Sequence, residues 1–223
     1  MYNWQHKNWP EFKFDSSSID NKLMKFMLKA GELKGITSAL PEAIGTDSII
    51  QIMMSEAIKT SEIEGETVNR IDVMSSIRKN LGLPISKEPK DKNAIGLSHL
   101  LIDVRNSYKQ ELTESKILEW HKLLMGNNKR INAGSWRKGT APMQVISGSE
   151  SEQKIHFVAP PSKMVPKEMK RFIEWYNKSE ISSPIIKAAI AHLYFESIHP
   201  FEDGNGRIGR AIAEKAISQG IDN

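Results

Sequence analysis

Apolar positions recur at helical spacing from Ser18 onward. Ile19, Leu23, Phe26 and Met27 fall on one face and predict a helix that ends near Gly31 to Gly35. A second helix is read in "GTDSIIQIMMSEAIKTSEIEGE". Thr46 or Asp47 caps it, Ile49, Ile50, Met53, Ala57 and Ile58 form its stripe, and Gly65 stops it. A third covers about 68–81, before Gly82 and Pro84. Beyond the polar connection "SKEPKDK", helices are predicted at about 93–108 and 114–124, the latter capped by Thr113.

The chain changes character between Gly126 and Pro161, where Gly, Asn and Pro are frequent. The β-prone pieces "MQVIS" and "KIHFV" flank "GSESEQ", the pattern of a hairpin, and Pro160 and Pro161 close it. "VPKEMKRFIEWYNK" is helical again, with Met169, Phe172, Ile173 and Tyr176 inward. Ser183 and Pro184 start a further helix. It runs to Ile198 and stops before Pro200, because the residue preceding a proline avoids helical angles. After a tight loop the last helix opens near Asn205 or Gly206, with Ile208, Ala211, Ile212 and Ala216 inward. The first 17 residues predict no element; Trp4, Trp9, Phe12 and Phe14 read as anchors fastening a terminal arm to a domain surface. About eight helices and one hairpin make the expected fold all-α.

Composition narrows the setting. At 39% apolar and 26% charged, 223 residues can bury a core as one large domain, or one with a smaller appendage. The net charge is +4, yet no block of like charges suggests a nucleic-acid tail. Cysteine is absent, which excludes disulfides and thiolate metal sites and fits a reducing compartment. The N-terminus lacks the apolar segment of a secretory signal, and no apolar run approaches the roughly 18–20 residues that span a bilayer. A soluble, cytoplasmic protein is expected, with no membrane partner and no nucleic acid.

Chemistry concentrates in "HPFEDGNGRIGR", His199 to Arg210. Gly204 and Gly206 let successive backbone N–H groups turn inward as an anion-binding nest, and the following helix N-terminus adds partial positive charge. Arg207 and Arg210, three apart, share a helix face and suit phosphate oxygens. Asp203 can hold a Mg²⁺ alongside phosphates. His199, at the end of the preceding helix, can take a proton from a hydroxyl nucleophile, an effect worth roughly 10²–10⁴ in rate. The set fits phosphoryl or nucleotidyl transfer to a hydroxyl. "GNGRIG" also satisfies G-x-G-x-x-G, but a helix precedes it instead of a strand, so a dinucleotide fold is excluded. No G-K-[ST] follows the glycines, which excludes a P-loop.

The stretch agrees at every fixed position with H-x-F-x-[DE]-G-N-G-R-x-x-R, and so resembles the signature of the Fic (filamentation induced by cAMP) family. "AHLYFESIHPF", "HKLLMG" and "GSWR" resemble its flanks, and the hairpin followed by "APP" resembles its substrate-clamping flap. The likeness implies a Fic-type helical bundle with one β-hairpin flap. It covers 44–223, after an N-terminal extension 1–43. Within it lie an inhibitory helix at about 46–64, the flap at about 143–158 and the active-site loop 199–210. Family members usually continue with more helices, so the chain is expected to be C-terminally truncated. The implied activity is transfer of AMP from ATP, with Mg²⁺, to a Ser, Thr or Tyr hydroxyl of a target protein; a homodimer stays open. By position, His199 activates the target hydroxyl and Asp203 ligates the metal. Gly204, Asn205 and Gly206 cradle the phosphates, Arg207 and Arg210 bind the outer ones with Arg210 nearest the γ-phosphate, and Phe201 anchors the loop.

"TSEIEGE" adds a second clue. Glu62, Glu64 and Glu66 crowd a helix C-terminus, where the macrodipole disfavours negative charge, and a local rule broken without compensation often marks a functional site. "TSEIEG" resembles the family's inhibitory motif [ST]-x-x-x-E-[GN], which implies that Glu64 pairs with Arg210 in the place of the γ-phosphate. The same glutamate could instead position a water that removes AMP from modified targets. Other readings stay open. The chain could be a non-catalytic ATP-sensing regulator, or could transfer phosphocholine or UMP. Arg207 and Arg210 could line a solvated face with Glu214 as an i,i+4 partner, and Glu64 could be an exposed acid beside a helix stop. His192, one heptad before His199, could form a metal pair with it, but a core histidine bonded to backbone is preferred.

Overall fold

A computed structural model describes residues 1–148 and 152–222. Among them are eight α-helices and one two-stranded antiparallel sheet. The helices are α1 (Asp20–Ala39), α2 (Glu42–Ile63), α3 (Arg70–Asn80), α4 (Lys92–Ser107), α5 (Glu114–Met125), α6 (Val165–Lys178), α7 (Pro184–Ile198) and α8 (Asn205–Asp222). The strands are β1 (Gln144–Ser147) and β2 (Lys154–Val158). They pair from Gln144–Val158 to Ser147–Lys154, with a bulge between Val145 and Ile146. Ser149, Glu150 and Ser151, in the turn of the expected flap, lie outside the described residues.

Local chemistry sets most boundaries. Asn69, Asp91, Thr113 and Ser183 each accept first-turn N–H groups and start α3, α4, α5 and α7. Two expectations are corrected. α1 runs straight through Gly31 and Gly35, because an interior glycine costs only about 1 kcal/mol and good helix formers surround both. α2 begins at Glu42, four residues before the expected cap, because Pro41 supplies a fixed φ and its carbonyl accepts the Gly45 N–H. α2 ends as expected at Gly65, whose φ of +70° only glycine adopts easily.

α7 is buried on nearly every side, through Ala188, Ala191, Tyr194, Phe195 and Ile198, and forms the centre of the core. α8 lays Ile208, Ala211, Ile212 and Ala216 against it in the most extensive helix pair of the fold. α6 covers another side with Met169, Phe172 and Tyr176. α2 packs on α3, α4 and α8, so its last turn arrives beside the first turn of α8. No described helix is long and apolar enough to cross a membrane.

The N-terminal arm is fastened as its aromatics predict. Trp4 Nε1 donates to the Val158 carbonyl at 2.7 Å, and Trp9 Nε1 to Glu168 Oε2 at 2.9 Å. Trp9 and Phe12 pack on Tyr194 with ring centroids 5.0 and 5.3 Å away. Phe14 departs from the pattern and is exposed.

Candidate functional site

The loop between α7 and α8 is tied down atom by atom. Phe201 is fully buried and stacks on His121, centroids 3.8 Å apart and planes within 9°. Asn205, also buried, bridges the loop: Oδ1 accepts the Phe201 N–H and Nδ2 donates to the Phe201 carbonyl, both at 2.9 Å. Its side chain is thus spent inside the loop, while its backbone opens α8. The Gly134 N–H donates to His121 Nδ1 at 2.9 Å, so the imidazole proton sits on Nε2 and is donated to the Asp203 carbonyl at 3.1 Å. Burial holds His121 neutral, its pKa pulled down to about 4. Gly204 takes φ +81° and lies on Met125, and Asp203 Oδ1 accepts the Gly204 N–H at 2.6 Å.

His199 caps α7 at φ 49° and ψ 61°, the one non-glycine residue with positive φ among those described. Left-handed backbone at such a residue costs on the order of 1–3 kcal/mol and persists only where the surroundings impose it. Here they do: Arg137 Nε donates to the His199 carbonyl at 2.7 Å. The imidazole is mostly buried, and its Nδ1 lies 3.5 Å from Glu196 Oε2.

Two glutamate–arginine pairs close the mouth of the loop. Arg210 Nη2 meets Glu64 Oε1 at 2.6 Å, while Arg210 Nε donates to Thr60 Oγ1 at 2.6 Å and Nη2 to the Thr60 carbonyl at 3.1 Å. Arg207, which is buried, meets Glu66 Oε2 at 2.6 Å and lies 3.9 Å from Asp203 Oδ1. The Glu64 carboxylate rests directly on Gly206, where a Cβ would fall 2.2 Å from Oε1. An anion therefore already lies against the helix N-terminus and the second arginine.

Each residue proposed from the sequence lies at this corner: His199, Asp203, Gly204, Asn205, Gly206, Arg207, Arg210 and Glu64. Two side readings fail. Arg210 turns to Glu64 and Thr60, whereas the Glu214 carboxyl is buried beside Glu56 and pushed up to about 9. His192 is half-buried and its Nδ1 has no hydrogen-bond partner; that atom and Glu196 Oε1 both lie over Gly209. No group of three or more His, Cys, Asp or Glu able to hold a metal occurs among the described residues, so a His192–His199 metal pair gains no third ligand.

Sequence reasoning missed Arg137, His121, Glu66 and the direct role of Thr60. Arg137 and His121 stand in "GSWR" and "HKLLMG", which drew notice only as flanks. His121 shares the inner face of α5 with Ile117, Trp120 and Leu124, and a histidine on an apolar face is the signal that was available.

Residues 111–217 match the Fic/DOC family, and residues 2–83 match a domain of unknown function (DUF4172). The chain carries a Fic domain. It is similar to Protein adenylyltransferase Fic of Drosophila erecta, 29% identical over 154 residues, which cover 67% of this chain and 29% of that one. Among solved structures it is similar to a segment of Fic-1 from C. elegans, with TM-score 0.64, 24% identity, and coverage of 92% of this chain and 59% of that one. It is also similar to a Fic domain containing signaling protein from Bacteroides thetaiotaomicron, with TM-score 0.67, 20% identity, and coverage of 88% and 72%. The helical fold is thus shared with these structures, and the chain spans under a third of the length of the curated relatives it matches. The DUF4172 match takes in the arm and α1 to α3, which carry both glutamates that reach the Fic loop.

Proposed function

We propose that this Fic protein is an auto-inhibited protein adenylyltransferase of the cytoplasm. It transfers AMP from ATP to a Ser, Thr or Tyr hydroxyl of a target protein. The observation that carries this reading is the Glu64 carboxylate, seated on Gly206 and bonded to Arg210. A carboxylate packed on the glycine that opens a helix and held by a guanidinium marks a site built for an anion, and it stands where a terminal phosphate would.

In the reaction the target oxygen attacks the α-phosphorus of ATP. The bond from that phosphorus to the α–β bridging oxygen breaks, and pyrophosphate leaves. His199 takes the hydroxyl proton, for which Nε2 is the available atom because Nδ1 faces Glu196. Arg207 and Arg210 bind the departing phosphates once their glutamates withdraw, and the Gly206 N–H in the first turn of α8 orients them, the Gly204 N–H being held by Asp203. Magnesium fits the donors present: Asp203 offers one exposed hard-oxygen carboxylate beside Arg207, as suits an ion shared with phosphates instead of caged by protein. When bound, that ion supplies charge neutralisation of the phosphates. On the flap, the exposed Val145, Ile146 and Ile155 offer a surface for an added target strand.

The test is incubation of the chain with α-labelled ATP, Mg²⁺ and a cell lysate. Label on protein should rise in Glu64→Gly and vanish in His199→Ala. Equal labelling of parent and Glu64→Gly would remove the auto-inhibition, and no labelling in either would remove the transferase and leave an ATP-sensing domain.

A further inference from the structure

Arg137 is the most deeply buried arginine of the fold, 5% exposed, and no carboxylate pairs with it among the described residues. Its charge is met by carbonyl oxygens alone. Nε donates to the His199 carbonyl at 2.7 Å, and Nη2 to the Pro160 carbonyl at 2.5 Å and the Ile198 carbonyl at 3.3 Å. The Arg137 backbone N–H donates to the Pro200 carbonyl at 2.9 Å. Three consecutive carbonyls around the catalytic turn, 198 to 200, are thereby held by one residue. The fourth belongs to the segment that leaves β2.

This placement has two physical consequences. Ile198 and His199 carry the last carbonyls of α7, which have no partner within the helix and sit at its negative end; a guanidinium satisfies both needs. The planar fork also fixes directions, since Nε and Nη2 leave the same edge of one rigid group. Holding the His199 carbonyl from that edge fixes the peptide plane after His199, and with it the left-handed turn from which the imidazole projects.

We infer that Arg137 is a positioning residue for the reaction: it sets the backbone turn that aims the His199 imidazole and locks the base of the flap to that turn. This rests on the adenylyltransferase reading for its kinetic part only. A lysine keeps the charge and can cap the helix end. Its single nitrogen does not reproduce the two-nitrogen edge, so aim should be lost while the fold survives.

The experiment compares Arg137→Lys with its parent in a Glu64→Gly background, with Arg137→Gln as a second variant should the first fail to fold. Cooperative melting is expected with a Tm no more than about 10 °C below the parent's, with a KM for ATP within about threefold. The kcat for AMP transfer should fall at least about tenfold, as misplacement of a reacting group does. In [¹⁵N]histidine-labelled protein the His199 ring resonances should move away from their parent positions. An unchanged kcat, or His199 resonances that superimpose on the parent's, overturns the inference. Loss of cooperative melting in both variants makes Arg137 a folding residue and overturns it too. If the Glu64→Gly parent transfers no label, the transferase reading fails by itself and the ring resonances alone decide the role of Arg137.

Discussion

Glu66 Oε2 lies 2.6 Å from Arg207 Nη1, two residues along from the Glu64 carboxylate that grips Arg210 at the same distance. Both arginines of the loop are therefore occupied by acids from the end of α2 and the turn after it. The family motif covers only the first pair. If Arg207 must exchange Glu66 for a phosphate, removing that acid should favour nucleotide. Glu66→Gln is expected to tighten ATP binding about five- to thirtyfold, as removal of about 1–2 kcal/mol of competing interaction does. Calorimetric titration with Mg·ATP in the Glu64→Gly background reads this directly, and an unchanged affinity would make the Glu66–Arg207 pair purely structural.

His121 joins three segments through one neutral ring. In His121→Phe the ring still stacks on Phe201, but the Asp203 carbonyl and the Gly134 N–H lose their partners. Two partly buried polar groups left unpaired cost about 2–4 kcal/mol together. The Tm should fall by about 5–15 °C in a chain of this size, which differential scanning calorimetry would detect.

The arm and the flap are coupled through Trp4. Trp4→Phe keeps the ring and removes only the donor to the Val158 carbonyl. Loss of that bond, about 0.5–1.5 kcal/mol, should speed hydrogen exchange of the amides of residues 154–158 by about three- to tenfold. Exchange confined to its parent rate would show that the arm does not brace the hairpin.

Glu214 sets a pH dependence of stability. Burial, with the neighbouring Glu56 charge, lifts it from 4.5 to about 9 in the fold. Between those values the folded chain keeps a proton that the unfolded chain has released, so stability falls as pH rises through the window. Glu214→Gln removes this slope. Its Tm should match the parent's near pH 4.5 and exceed it at pH 8.5, by about 2–4 °C per kcal/mol recovered. Parallel Tm–pH curves for the two proteins would refute the assignment.

How much of this was legible in the sequence depends on whether the signal is local. Caps such as Thr113 and Ser183, the glycine stop after α2 and the β-prone hairpin pieces are written in neighbouring residues, and those elements fall where the pattern puts them. The signature residues were legible for the same reason, being contiguous from His199 to Arg210. Arg137 was not, because its role lies in carbonyls 23 to 62 positions away along the chain. Backbone acceptors carry no residue type, so no spacing pattern announces them. Glu66 was read only as part of a crowded acidic end, since nothing local says which arginine each acid will find. α1 shows the opposite limit: two glycines looked like a stop, yet the surrounding helix formers carried the turn through.

Glu64 and Arg210 belong to a single polypeptide, so their encounter is unimolecular, with an effective concentration set by the fold alone. Dilution leaves the contact as it is, and so does the amount of protein a cell makes. On the auto-inhibited reading proposed above, the shape of this one contact, and not the abundance of any inhibitor, is the quantity a cell would have to control.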